Sequence, residues 1–506
     1  MSFKPKASIE PNTLEFETRA LVKPTGFREY DARWWFGIPG HEKAPELNLY
    51  GVQALGEALG TLIYERGVQP KIAVGHDFRH YSLGIKQALI VGLMNAGVQV
   101  VDIGLALSPT AYFAQFALDC PCVAMVTASH NNNGWTGVKM GIEPPLTFGP
   151  SEMSRLKEIT LNGESVARAG GGYQFVDGVR ELYLDDLTKG IKLKNRIKAV
   201  VACGNGTAGA FAPDALAKIG VDVIPINCNL DHTFPAYNPN PEDMKMLHAM
   251  RDAVLEHGAD VGLGFDGDGD RCGVVDNEGE EIFADKVGVM LARDLSEIYP
   301  NAQFVADVKS TGLFLTDPVL ISNGAKTDYW KTGHSYIKRR SKELNALVGF
   351  EKSGHYFFNS PIGRGYDDGI VSAIAILQML DRNPDKSMAD LRRALPKTWG
   401  SPTMSPYCAD EEKYGVIDRI VKDYEAGTER GELICGQKVR ELVTVNGVRV
   451  ILEDGTWGLV RASSNTPNLV VVVESPTSDE NKIAMFRDIE RRLAEYSEIG
   501  EFDQKI

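Results

Sequence analysis

The sequence predicts an α/β protein: three related mixed α/β domains plus a C-terminal α+β domain, arranged around a central cleft. Three observations predict it. At 506 residues the chain exceeds what one hydrophobic core supports, and its length corresponds to roughly three to five domains. Strand-like apolar runs alternate with helix-like stretches over most of it, the pattern of α/β layers with largely parallel sheets. A strand followed by a polar loop also recurs, at Gly75-His76-Asp77-Phe78-Arg79, Cys203-Gly204-Asn205-Gly206-Thr207 and Asp307-Val308-Lys309-Ser310-Thr311. Each is followed further on by a loop dense in functional side chains, as three related units sharing one cleft would require.

The elements follow in order. Residues 71–75 read as strand, 83–96 as helix and 98–103 as strand. The alternation returns at 198–201, 210–219 and 221–226, and again at 303–306 and 316–323. Past Pro396-Lys397-Thr398-Trp399-Gly400-Ser401-Pro402 the strands shorten. Val445-Asn446-Gly447-Val448 and Glu453-Asp454-Gly455-Thr456 set Asn-Gly and Asp-Gly between apolar runs, which are strong hairpin signals. A helix over 480–496 closes the chain. The expected domains are 1–175, 176–283, 284–400 and 401–506, the last attached by a hinge.

Composition limits the function. A net charge of -14 argues against nucleic acid as a partner, since a phosphate backbone wants a basic face. A small phosphorylated ligand needs only a local cluster of cations and N–H groups. Residues 1–13 lack an apolar segment and eighteen apolar residues never run together, so neither a secretory signal nor a membrane span is expected. The 7 cysteines are scattered without zinc spacing and read as reduced packing residues of a cytoplasmic protein.

Chemistry concentrates in a few loops. Val126-Thr127-Ala128-Ser129-His130-Asn131 leaves a short apolar run and enters Asn132-Asn133-Gly134-Trp135-Thr136-Gly137-Val138-Lys139. A hydroxyl beside a histidine at a strand end is where a nucleophile is fixed yet reachable. Asp266-Gly267-Asp268-Gly269-Asp270-Arg271 follows one strand and precedes another. Glycine spacing lets the three carboxylates fold onto one point, and oxygen-only ligation suits Mg²⁺. An EF-hand does not fit, because Arg271 and Asn277 stand where Gly and Glu are required.

Phe350-Glu351-Lys352-Ser353-Gly354-His355-Tyr356 offers a carboxylate and a hydroxyl for sugar hydroxyls, and an imidazole for proton transfer. Gly333-His334-Ser335-Tyr336-Ile337-Lys338 reads locally as a helix capped by Ser335 with a solvated basic face. Arg461-Ala462-Ser463-Ser464-Asn465-Thr466-Pro467 sets a guanidinium among hydroxyl and amide donors, as a phosphate requires. Gly204-Asn205-Gly206-Thr207-Ala208-Gly209 formally matches a dinucleotide fingerprint. Asp222, however, opens its strand where a ribose-binding acid should end it, so that reading ranks lower.

Taken together, these loops resemble those of the α-D-phosphohexomutases, most closely the bacterial phosphomannomutase/phosphoglucomutase branch. Residues 127–131 match T-[AG]-S-H-N, 266–271 match D-G-D-G-D-R, 351–355 match the sugar loop, and 461–466 approach the terminal phosphate loop. Phe27-Arg28-Glu29-Tyr30-Asp31-Ala32-Arg33 looks like the family's N-terminal motif, and Lys139, Lys309 and His334 match smaller ones. Asn132, Trp34 and Phe350 depart from it, standing where the family has proline, glycine and glycine.

The resemblance implies a phosphohexomutase working through phosphoserine 129 and a hexose 1,6-bisphosphate. One Mg²⁺ per chain would be held by Ser129, Asp266, Asp268 and Asp270. Arg33, His130, Lys139, Arg271 and His355 would be catalytic. Tyr30, Lys309, His334, Glu351, Ser353, Arg461, Ser463, Ser464 and Asn465 would bind substrate. The protein would be a monomer or weak dimer taking a small phosphosugar. Phosphoglucosamine mutase is the alternative, although its N-terminal motif differs, as is a non-catalytic phosphosugar-binding relative.

Overall fold

A computed structural model describes residues 4–464 and 466–506. The chain forms two compact units, Met1–Ala284 with Ser353–Ala389, and Asp285–Lys352 with Asp390–Ile506.

In the first unit, β1 (Ala32–Trp35), β2 (Lys71–His76), β3 (Gln99–Leu105), β4 (Cys122–Val126), β5 (Trp135–Gly141) and β6 (Gly172–Phe175) form one sheet in the order β1-β5-β4-β2-β3-β6. β2, β3, β4 and β6 are parallel, and β5 runs antiparallel to β4 and β1. Every residue of β4 is buried, as expected of a strand covered on both faces by crossover helices. Helices Ser82–Asn95 and Ser108–Ala117 provide that cover, and helix Leu49–Glu65 packs on the first of them; Asn48 caps it, its Oδ1 accepting from Gly51 N at 2.8 Å.

The second sheet repeats the plan. β7 (Lys198–Ala202), β8 (Asp222–Ile226), β9 (Val261–Phe265), β10 (Cys272–Asp276) and β11 (Glu281–Ile282) lie in the order β11-β10-β9-β7-β8. β7 again sits between its two parallel partners, and β10 runs antiparallel to β9.

In the second unit, β12 (Gln303–Asp307) lies between β13 (Lys326–Trp330) and β14 (Val348–Phe350), all parallel. The chain then passes through residues 351–355 into β15 (Tyr356–Phe358), in the first unit. The C-terminal sheet is antiparallel, in the order β16 (Trp399–Gly400), β20 (Leu469–Ser475), β19 (Trp457–Ala462), β18 (Val448–Leu452), β17 (Val439–Val443). Helices Lys413–Glu429 and Asp479–Leu493 close its core through Ile417, Ile420, Phe486 and Ile489.

The recurrence read in the sequence thus has a topological basis. In each repeat the first and third parallel strands are neighbours, and their C-terminal ends carry the polar loops. Strand order switches direction there, so side chains from two loops converge where an α/β sheet binds its ligand.

Several local expectations are corrected. The helix expected over 316–323 is two short ones, Leu313–Thr316 and Pro318–Ser322, because Pro318 cannot continue the first. Ser335 does not cap its helix; Gly333, at φ 130, is the N-cap, and Lys338 is buried rather than solvated. The expected hinge contains β16, paired to β20. All 7 cysteines are free, but Cys435 is exposed and is no packing residue. Trp34 and Phe350 are buried: Trp34 donates from Nε1 to Lys23 O at 2.8 Å, and Phe350 packs on Phe304 and Phe314. Among the described residues, no helix is long and apolar enough to cross a membrane.

Candidate active site

Ser129 leaves β4 at φ 50 and is buried. This left-handed region is costly for a residue with a Cβ, and such strain persists only when neighbours fix it. Here they do. Arg79 donates from Nη2 to Ser129 O (2.9 Å) and Asn131 O (2.6 Å), and from Nη1 to Asn132 O (3.0 Å). Asp77 orients Arg79, with Nε to Oδ2 at 3.2 Å. Thr127 Oγ1 accepts from Ser129 N, and Asn238 donates to His130 O. Asn132 stands in place of the family's proline, and Arg79 holds its carbonyl. Sequence reading noticed Asp77 and Arg79 only as a repeat marker; polar residues at the end of the adjacent β2 were the available signal.

The carboxylate loop sits beneath the serine. Ser129 Oγ donates to Asp266 Oδ2 at 3.1 Å. Asp266 Oδ1 accepts from the N–H groups of Gly269, Asp270 and Arg271, so the loop wraps its first carboxylate. Gly267 makes the approach possible: a Cβ there would stand 2.5 Å from Ser129 O. Asp268 Oδ2 accepts from Ser108 Oγ (2.5 Å) and Lys139 Nζ (2.7 Å), and Lys139 also contacts Asp270. Ser108, at the start of helix Ser108–Ala117, carried no sequence signal.

Oxygens of Asp266, Asp268 and Asp270 converge within 4.8 Å of one another. Oδ1 of Asp268 and of Asp270 are buried without a hydrogen-bond partner among the described residues. An oxygen-only set with buried, unpartnered acceptors fits a hard divalent cation.

The electrostatics agree. Burial, then the neighbouring Asp270 and Asp268, pushes Asp266 up to about 7. Burial also works to raise Asp268, but Lys139 overrides it and holds Asp268 well below the usual range. Burial opposes the charge of Lys139, yet Asp268 and Asp270 raise it well above its ordinary value. Burial, followed by Arg271 and Arg33, keeps His130 far below its ordinary value and therefore neutral near pH 7. Its Nδ1 lies 3.3 Å from Ser129 Oγ.

Around this centre, Arg33 on β1 pairs with Asp31 (3.0 Å) and contacts Asn131. Tyr30 is buried just before it. Arg271 donates from Nε to Asp266 at 3.2 Å and bridges to the backbone of His355. His355 Nδ1 stands 3.0 Å from Asp367 Oδ2 and 3.7 Å from Asp270 Oδ1. Asp367, before helix Gly369–Arg382, was missed because nothing local marks it. Ser353, half-buried, precedes His355 in this same unit.

Other predicted residues gather in the second unit around Asp307, itself fully buried. Its Oδ1 accepts from Ser310 Oγ (2.5 Å) and Lys352 N (3.2 Å), and its Oδ2 from Thr332 Oγ1 (2.9 Å). One carboxylate thereby ties together the loops bearing Lys309, His334 and Glu351, and Glu351 Oε1 accepts from Gly333 N at 3.1 Å.

Arg461, one residue before the end of β19, is buried, with Nη1 donating to Ala462 O at 2.9 Å. Ser463 Oγ meets Thr466 Oγ1 at 2.9 Å, half-buried Ser464 follows Ser463, and the buried Lys413 donates to Thr466 O at 3.0 Å. Asn465 lies outside the described residues. Within the formal dinucleotide fingerprint, Gly206 and Thr207 serve packing: a Cβ on Gly206 would stand 3.1 Å from Gly267 Cα, Thr207 N donates to Gly267 O, and Thr207 Oγ1 accepts from Phe78 N.

Three family models match the chain in sequence. They are described as phosphoglucomutase/phosphomannomutase alpha/beta/alpha domains I, II and III, at residues 26–167, 181–279 and 283–399. Among curated proteins, a phosphomannomutase/phosphoglucomutase of Pseudomonas putida is 34% identical over 91% of this chain and 94% of its own. A phosphoglucomutase of Neisseria meningitidis is 31% identical over 89% and 93%. Among solved structures, a phosphoglucomutase/phosphomannomutase family protein of Burkholderia thailandensis aligns with TM-score 0.82 at 29% identity, covering 94% of this chain and 98% of its own.

Proposed function

This chain belongs to the phosphoglucomutase/phosphomannomutase family, and from that premise we propose that it interconverts hexose 1-phosphates and hexose 6-phosphates of glucose, mannose or both. The reaction runs through phosphoserine 129 and a hexose 1,6-bisphosphate. One observation carries the reading: a buried serine, fixed in a left-handed conformation, with Oγ 3.1 Å from the first carboxylate of a three-aspartate cluster. That arrangement supports a phosphoryl carrier, since Ser129 Oγ donates to a carboxylate of a cation-type cluster rather than standing at the head of a Ser-His-Asp relay.

In the first half-reaction the substrate's free hydroxyl attacks phosphorus, the P–O bond to Ser129 breaks, and the hydroxyl proton passes to a base. Of the candidates, His355 is the one we assign, because its Nδ1 lies 3.0 Å from the Asp367 carboxylate, a counter-ion for the imidazolium it would become. The bisphosphate then turns over, and its other phosphoryl group returns to Ser129. Arg33, Lys139 and Arg271 concentrate positive charge where transferring oxygens develop negative charge. One divalent cation, Mg²⁺ in this proposal, held by Asp266, Asp268, Asp270 and phosphoserine 129, supplies further charge neutralisation.

Glu351 and Ser353 are assigned to sugar hydroxyls. Tyr30, Lys309 and His334 are further substrate contacts, and Arg461, Ser463, Ser464 and Asn465 hold the phosphate that is not reacting. The four-domain division at 175, 283 and 400, a cytoplasmic location and a monomeric or weakly dimeric state complete the proposal.

The test is an intact mass heavier by one phosphoryl group, localised to Ser129, together with loss of turnover in Ser129→Ala. Normal turnover of that variant from a hexose 1-phosphate would refute the assignment.

A further inference from the structure

The segment carrying Lys309 is held from outside its own sheet. Arg449, the second residue of β18, is 1% exposed. Its guanidinium carbon lies 3.7 Å from the ring centre of Trp457 and 4.2 Å from that of Tyr329. From this slot Nη1 donates to Val308 O at 2.9 Å and to Ser310 O at 2.7 Å, the carbonyls on either side of Lys309. Glu474 on β20 continues the contact, accepting from Thr311 Oγ1 (2.9 Å), Gly312 N (2.9 Å) and Trp457 Nε1 (3.1 Å). Tyr329 closes the other side, donating to Thr311 O at 2.5 Å. The Lys309 ammonium is 3.9 Å from Asp307 Oδ2, an ion-pair distance too long for a hydrogen bond.

We propose that Arg449 is a positioning residue for Lys309, setting the path of residues 308–310 so that the lysine is held ready for the substrate's anionic groups. The inference rests on the reading of Lys309 as a substrate contact. Arginine is the residue the position requires: its flat cation fits between two rings and still donates in its own plane, and charge-assisted donation to carbonyls is about twice as strong as neutral donation. The same sheet carries Arg461 near the end of β19. The C-terminal sheet therefore places two of the proposed substrate cations, one directly and one through Arg449.

The test compares Arg449→Ala with Lys309→Ala. Arg449→Ala is expected to raise KM for a hexose 1-phosphate about tenfold, with kcat and the phosphate content of Ser129 changed by less than about threefold. A cavity of about 280 Å³ lined by Arg449, Tyr329 and Trp457 gives a small cation room to replace the lost group. Millimolar ethylguanidinium, against a matched sodium chloride control, should bring KM back to within about threefold of the parent, while Lys309→Ala should raise KM and not be rescued.

An unchanged KM in Arg449→Ala, where Lys309→Ala raises it, would overturn the inference. So would a raised KM that ethylguanidinium does not restore, which would mark Arg449 as a packing residue. An unchanged KM in Lys309→Ala would instead overturn the reading of Lys309 on which the inference rests. If Arg449→Ala does not fold, Arg449→Gln keeps the bulk and one donor pair without the charge. It should raise KM several-fold, and parental KM in that variant would overturn the inference.

Discussion

Gly267→Ala is the most economical test of how Ser129 is placed. The new Cβ would stand 2.5 Å from Ser129 O, and ordinary contact begins at 3.4 Å, so about 0.9 Å of separation must be found. The obstructing atom is backbone, and Arg79 also holds that carbonyl at 2.9 Å. Neither side can yield by a rotamer change. The displacement therefore passes into the Ser129 backbone or into the carboxylate loop, moving Oγ against Asp266. A misplacement of about 1 Å at a reacting centre costs roughly 100-fold in rate, or about 2.7 kcal/mol of transition-state stabilisation. The assay is a coupled measurement of hexose 1-phosphate turnover with the phosphate content of Ser129 followed by intact mass. Gly84→Ala is the control, because a Cβ there meets nothing within 4 Å and the site lies in helix Ser82–Asn95. It should leave turnover unaltered and raise stability by roughly 0.5–1 kcal/mol. Turnover of Gly267→Ala within threefold of the parent would refute the claim that this contact fixes the serine.

Other predictions probe the surrounding framework. Arg79→Leu leaves the carbonyls of Ser129, Asn131 and Asn132 and the carboxylate of Asp77 without their donor. It should lower kcat by about 10- to 100-fold and stability by roughly 3–5 kcal/mol, read by turnover and urea unfolding. Glu474 is buried, which would raise its pKa, but Lys286, with the N–H of Gly312, holds it down at about 2, below its ordinary 4.5. Its folded pKa lies below its unfolded one, so the stabilisation is present above pH 4.5 and is lost as pH falls from there toward 2. In urea unfolding between pH 7 and pH 3, Glu474→Gln should therefore show a shallower loss of stability than the parent, by an amount on the order of 2 kcal/mol. Removing divalent cations with a chelator should abolish turnover, and added Mg²⁺ should restore it. Asp268→Asn should weaken that restoration at least tenfold in metal concentration.

Much of this protein was legible before its structure. Asp266-Gly267-Asp268-Gly269-Asp270 announces a convergent carboxylate cluster because glycine spacing and charge density are local properties. Ser129 could be singled out because a hydroxyl at a strand end is likewise a feature of neighbours in sequence. The alternation of strands and helices, the Asn-Gly and Asp-Gly hairpins and the C-terminal helix are also written in short stretches, where hydrophobic period and turn chemistry act residue by residue. The misjudged elements had a non-local cause or a missed local one. Gly333 rather than Ser335 caps its helix, and Lys338 is buried by elements that no window of sequence contains.

The sequence by itself singled out the groups to which the proposed function assigns chemistry: a serine, three aspartates, a set of histidines and cations, and the loops that bear them. Only the tertiary structure decided how they are held. Arg79 lies 50 residues from Ser129 along the chain, Lys139 lies 129 from Asp268, and Arg449 lies 141 from Val308. Such partners come together only when sheets fold and pack, because a hydrogen bond across that separation is set by strand order and register. Neither is a property of any single stretch.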